Sequence, residues 1–161
     1  MINFQGIVKP TYHAYRMLNE LGDELLYRNN GVVVTRNSKT GKLVTLLYNY
    51  PAEVKTAPES GARSLAQSTQ DKGTAQLFDL KLTGLKANSS ISIETLDKQY
   101  GNAIGAWQQM GSPEPPTREQ VSILKQKAQE LKKDVLSASD NGELNFSQSL
   151  ASWSVILIRE L

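Results

Sequence analysis

The sequence predicts a mainly β fold, an antiparallel β-sandwich with a leading helix and one or two short inserted helices. Three observations carry that prediction. Most of the chain runs in short stretches rich in Val, Leu, Ile, Thr and Tyr, several of them alternating at a two-residue period. Brief turns rich in Asn, Asp and Gly separate these stretches, which joins neighbours antiparallel and leaves no room for a βαβ crossover. The helical period shows clearly in only two places, near the N-terminus and after residue 117. A chain of 161 residues with 39% hydrophobic and 21% charged residues suits one globular domain with a real core. It is too short for a complete (β/α)₈ barrel, which typically takes about 250 residues.

The elements follow in order. Pro10 suits the first turn of a helix, where its missing N–H costs nothing. Tyr12, Ala14, Tyr15, Met17, Leu18 and Leu21 then recur at three- and four-residue spacings, and Gly22 reads as a left-handed stop. A helix over 10–21 has about three turns, so it needs something to pack against. Residues 25–27, 32–36 and 43–50 read as strands, with hairpin turns at Asn29-Asn30-Gly31 and at 38–41. In the third strand Val44, Leu46, Tyr48 and Tyr50 share one face and Leu43, Thr45, Leu47 and Asn49 the other. Both faces are fairly apolar, as in a central strand. Residues 51–75 have no period and read as a long loop.

Structure resumes at 76–83, where Phe78, Leu80 and Leu82 share a face. In 91–96, Ile91 and Ile93 alternate with Ser92 and Glu94. Residues 102–110 read as a short helix or an irregular turn, ended by the Gly- and Pro-rich run 111–116. Thr117 with Gln120 is a capping box, and Val121, Leu124, Ala128 and Leu131 form a stripe behind it. A strand over 135–139, a hairpin turn at Asp140-Asn141-Gly142 and a strand over 143–147 come next. The last strand is 153–160, with Trp153 read as core.

Few residues suggest chemistry. There is no cysteine, which excludes disulfides, thiolate metal sites and a cysteine nucleophile. His13 is the only histidine, and with no G-x-S-x-G elbow it reads as an ordinary helix-face residue. No phosphate-cradling glycine loop and no calcium loop is present. No cofactor is therefore expected. The 18 basic and 16 acidic residues give a net charge of +2, too small to argue for nucleic acid. The basic helix carrying Lys125, Lys127, Lys132 and Lys133 reads as a solvated face. Nothing approaches the roughly 20 apolar residues of a membrane span, and the N-terminus lacks the pattern of a signal peptide. A cytoplasmic location is slightly favoured. The acids Glu20, Asp23 and Glu24 cluster at a helix end, with nothing to place two of them across a cleft. The remaining candidates are aromatic: Trp107 could be a sugar-stacking platform or an interface plug.

Longer stretches resemble a known family. The segment 6–26, with Lys9-Pro10-Thr11-Tyr12-His13-Ala14-Tyr15 and Leu21-Gly22-Asp23-Glu24, is similar to a signature of glycoside hydrolase family 39, which contains the β-xylosidases. Val34-Thr35-Arg36, Leu46-Leu47-Tyr48-Asn49-Tyr50, Gly101-Asn102-Ala103 and Trp107 to Pro113 resemble later motifs of that family in the same order. So do the Thr117 helix opening and the closing run 155–161. The resemblance implies that residues 1–23 correspond to the last helix of a catalytic (β/α)₈ barrel and 24–161 to a C-terminal accessory β-sandwich. It implies retaining hydrolysis of xylosides by two glutamates at the ends of barrel strands. Neither glutamate has a counterpart in this chain, so no catalytic, cofactor-binding or metal residue is assigned and the chain alone is expected to be inactive. The expected partners are the barrel, with self-association or a xylo-oligosaccharide as further options. Tyr12, Tyr15, Trp107 and Met110 are the candidate interdomain or sugar contacts.

Overall fold

The computed structural model describes residues 1–51, 54 and 72–161, so most of the expected long loop at 51–75 lies outside the described residues. Eight strands stand among them, in two antiparallel sheets. These are β1 (Glu24–Asn29), β2 (Val32–Arg36), β3 (Leu43–Asn49), β4 (Gln76–Thr83), β5 (Ser90–Leu96), β6 (Lys132–Ser137), β7 (Glu143–Leu150) and β8 (Ser154–Glu160). One sheet has six strands in the order β1-β2-β3-β8-β5-β6, and the other pairs β4 with β7. Helix α1 (Pro10–Asn19) leads the chain, while α2 (Ile104–Gln109) and α3 (Arg118–Gln129) lie between β5 and β6. The mainly β antiparallel fold read from the sequence is thus the one observed.

Alternation along the strands sorts the core into two layers. Leu43 and Leu47 of β3, Ile91 and Ile93 of β5, and Ile156 and Ile158 of β8 face the small sheet. There they meet Phe78, Leu82, Leu144, Phe146 and Leu150 in one buried cluster. The opposite residues of the same strands, Val44, Leu46, Leu96 and Leu157, pack beneath α1 against the fully buried Met17. Both faces of β3 are therefore covered, as its pattern predicts.

The two layers differ in how they are fastened. Between the sheets the contact is apolar. Beneath α1 it includes a charged pin. Glu94, on the outer face of β5, is 4% exposed. It pairs with Arg16 of α1 and with Arg159 of β8, and Arg159 reaches on to Glu20 at 2.9 Å. A carboxylate this deep needs such partners, because an isolated buried charge is very costly. His13 is buried too, and the Ala128 carbonyl in the last turn of α3 accepts from its Nε2 at 2.7 Å. That bond places the ring proton on Nε2 and ties α1 to α3.

A third cluster joins Ile7 and Val8 to Leu124 and Ala128 of α3, with Trp107 of α2 and Met110 at its C-terminal cap against them. Thr117 caps α3 in the expected box: its hydroxyl accepts from the Gln120 N–H, and the Thr117 N–H donates to Gln120 Oε1 at 2.8 Å.

Three expectations need correction. Gly22 does not end α1 in a left-handed conformation, since the helix stops at Asn19 with Glu20 as a right-handed cap. Gly22 instead lies against the Arg36 carbonyl, where a Cβ would collide with backbone. The stretch around Asp140-Asn141-Gly142 is a tight turn, with the Gly142 N–H donating to the Ser139 carbonyl, but it is not a hairpin. It carries the chain from β6 in the large sheet to β7 in the small one, and Leu85 seats against Gly142 at the corner. Trp153 does not belong to β8. It sits half-buried in the turn before it, at a φ of 65°, and its N–H donates to the Asn49 carbonyl.

Candidate functional site

The acids give little chemistry. Glu94 is the one buried carboxylate among the described residues, and two guanidiniums occupy it. Arg16 faces one of its oxygens and Arg159 the other, so neither oxygen is offered to another molecule. Asp23 accepts from the Ser38 hydroxyl at 2.5 Å and from the Ser38 N–H at 2.8 Å, which hold its carboxyl below its usual range. Among the described residues no group of three His, Cys, Asp or Glu side chains is placed to hold a metal.

The apolar surface is more informative. Helix α1 presents Met17 and His13 inward, and Tyr12, Tyr15 and Leu18 to solvent, with Tyr15 61% exposed. A groove of about 790 Å³ runs beside it, and Leu18, Leu21, Leu25, Tyr48, Tyr50 and Trp153 are among the residues that line it. Tyr50 meets Trp153 edge-to-face at 5.0 Å. A contiguous exposed run of aromatic and leucine side chains is uncommon on an isolated domain and marks an interaction face.

A second groove, of about 640 Å³, lies on the other side of the α1 N-terminus. It runs between a turn at residues 3–7 and the α2 segment. In that turn the Asn3 N–H donates to the Ile7 carbonyl and the Gly6 N–H to the Asn3 carbonyl, while Ile2 bridges Val8. Trp107 lines the groove, its indole N–H donating to the Pro113 carbonyl at 3.1 Å.

The four residues singled out from the sequence fall in two places. Tyr12 and Tyr15 sit on the outward side of α1. Trp107 on α2 and Met110 just after it sit half-buried against Ile7, Val8, Leu124 and Ala128. Sequence reasoning missed Phe4, which is 96% exposed, and the role of Leu25, Tyr48 and Tyr50 as groove walls. Tyr48 and Tyr50 were findable, since they continue the Val44–Leu46 face past the end of α1. Phe4 carried no signal, being a single aromatic in a segment without a period.

A two-layer antiparallel sandwich with a helix laid across the larger sheet defines the class: a β-sandwich domain with an attached helical face. The chain belongs to glycosyl hydrolases family 39, whose model matches residues 1–145. It is similar to a beta-xylosidase of Geobacillus stearothermophilus, 31% identical over 160 residues, and to one of Caldicellulosiruptor saccharolyticus, 26% identical over 167 residues. Each alignment covers 98% of this chain but only 28% and 30% of those proteins. A monomeric beta-xylosidase from Caulobacter crescentus CB15 superposes with a TM-score of 0.72 at 25% identity, over 99% of this chain and 32% of that one. The GH39 enzyme from Xanthomonas axonopodis pv. citri has the same fold over 99% of this chain and 31% of its own, with a TM-score of 0.73 at 15% identity. The chain thus spans less than a third of the length of the curated relatives it matches.

Proposed function

We propose that this chain is the non-catalytic accessory β-sandwich of a β-xylosidase-like glycoside hydrolase, and that it docks on and stabilises a catalytic (β/α)₈ barrel. One observation carries the reading. The outward side of α1 and the neighbouring groove expose Tyr12, Tyr15, Leu18, Leu25, Tyr48 and Tyr50 together, the kind of surface another domain covers. The family supplies the partner: its members hydrolyse glycosides, and the matched beta-xylosidases are more than three times as long as the aligned region. The activity of the assembled protein would be retaining hydrolysis of xylosides, performed by two carboxylates of the barrel. Helix α1 would then serve both partners, buried on the sandwich through Met17 and offered to the barrel through Tyr15 and Leu18.

The test uses the chain and a separately expressed fragment that carries the rest of the barrel of the same protein. The two should co-sediment, and Tyr15→Ser with Leu18→Ser should abolish that association while leaving the chain folded. The chain alone should release no nitrophenol from an aryl xyloside. Hydrolysis by the pure chain, or association unchanged in the double variant, would overturn the proposal.

A further inference from the structure

We propose that Asn30, at the tip of the β1–β2 hairpin, is a modification site: its side-chain amide is lost spontaneously through a cyclic imide formed with Gly31, leaving aspartate or isoaspartate. The reaction needs an asparagine whose side-chain carbon can be reached by the main-chain nitrogen of the next residue. Glycine permits that approach best, because it carries no side chain to hinder it. The sequence holds two Asn-Gly pairs, Asn30-Gly31 and Asn141-Gly142. Both asparagines are exposed and both glycines are buried, and neither asparagine side chain bonds to another described residue.

The structure separates the two pairs. At Asn141 the attacking nitrogen is engaged, since the Gly142 N–H donates to the Ser139 carbonyl at 3.0 Å. The turn around it is fastened further. The Leu85 N–H donates to the Gly142 carbonyl at 3.1 Å, the Ser139 N–H to the Glu143 carbonyl at 2.8 Å, and the Glu143 N–H to Ser139 Oγ at 3.0 Å. At Asn30 the Gly31 N–H donates to no described residue. The carbonyls of this tip accept from the Tyr48 N–H at 2.8 Å and from Gln76 Nε2 at 3.4 Å, which leaves the nitrogen free. The strand before it, β1, is an edge strand exposed along its whole length, where local opening is cheap. Position 31 also admits no other residue. Its φ is +83°, and an added Cβ would collide with the Tyr48 carbonyl and stand 3.1 Å from the Phe78 ring. The packing that seats the hairpin therefore keeps the reactive pair in place.

The step balances with water alone. Hydroxide takes the Gly31 amide proton, and the nitrogen attacks Asn30 Cγ. The N–Cγ bond forms, the Cγ–Nδ2 bond breaks and ammonia leaves. Water then opens the imide. Breaking the new N–Cγ bond gives aspartate. Breaking the original bond between the Asn30 carbonyl carbon and the Gly31 nitrogen gives isoaspartate, with the main chain routed through Cβ and Cγ. Isoaspartate lengthens the turn between the paired Asn29 and Val32, so it should free the Tyr48 N–H from the Gly31 carbonyl.

The experiment incubates the full chain at mildly alkaline pH, folded and in denaturant, and follows both sites by peptide mapping that resolves asparagine, aspartate and isoaspartate. In the folded chain Asn30 should convert at least about fivefold faster than Asn141, the factor that opening one further hydrogen bond of ordinary strength imposes. In denaturant the two rates should converge, and raising the pH should accelerate both. Asn30→Gln should abolish the faster conversion and leave the slower one. In the isoaspartate form amide exchange at Tyr48 should be faster than in the unmodified chain. Conversion of Asn141 as fast as Asn30 in the folded chain would overturn the proposal. So would an unchanged Asn30 in the folded chain under conditions where the denatured chain converts.

Discussion

The two faces of the six-stranded sheet are covered in different ways. The inner face is closed by the small sheet with side chains of Leu, Ile and Phe, all deeply buried. The outer face is roofed by one ten-residue helix, held by Met17 and by the Glu94 pin, with open grooves on both sides. An apolar interface closed by two strands leaves nothing over for another molecule. A helix too narrow for the sheet beneath it leaves strand ends and its own outward side uncovered. The inner face therefore accounts for stability, and the outer face is where a partner or ligand can add to the fold.

The largest effect should come from the inner face. Phe78→Ala removes a ring that is 3% exposed and should cost about 3–5 kcal/mol in denaturant unfolding, with the transition still cooperative. Retention of full stability would mean that the small sheet is not part of the cooperative core.

Glu94→Gln should cost less, about 2 kcal/mol. It leaves two arginines without their carboxylate, but each is nearly a third exposed and can rehydrate. The loss should be local: amide exchange should accelerate in α1 while β3, β5 and β8 stay protected. A loss as large and as global as that of Phe78→Ala would show that the two faces form one unit and would break the comparison.

The smallest effect concerns the loop beside the outer face. Asp23 is held below its usual value first by the Ser38 hydroxyl and then by the Ser38 N–H. A carboxyl lowered by folding favours the folded loop above its unfolded value of about 4, and that contribution fades as pH falls through the folded value. The Ser38 amide signal should therefore move at acid pH, below the usual carboxylate range, and Asp23→Asn should remove that movement. Since the carboxyl lies at the surface, overall stability should barely change.

Much of the fold was legible in the residues. Two-residue alternation in β3, β4 and β5 places Leu47, Phe78 and Ile93 inward, and the Thr117–Gln120 box marks the start of α3. What failed had a common cause. A turn signal reports that the chain reverses, but not whether the next strand pairs with the last one or crosses to another sheet, so Asp140-Asn141-Gly142 read as a hairpin. A glycine after a helix reports that a side chain is not wanted, but at Gly22 the reason is the neighbouring Arg36 backbone, far along the chain. The candidate site was legible only in part. Tyr12, Tyr15, Trp107 and Met110 were visible as aromatic or apolar residues near helix ends and loops. Their division between two surfaces was not.

The sequence by itself determined the strand composition, the helix starts and the family, because these depend on neighbours within a few residues and on motifs in order. Only the tertiary structure decided that Glu94 lies beneath α1 with two arginines, and that His13 bonds to the end of α3. It also decided that Phe4 and Trp107 line one groove. The hydrogen-bonded partners lie 65 to 115 residues apart in the chain, where no local rule constrains them, since each pairing depends on which face of a finished sheet the helix covers.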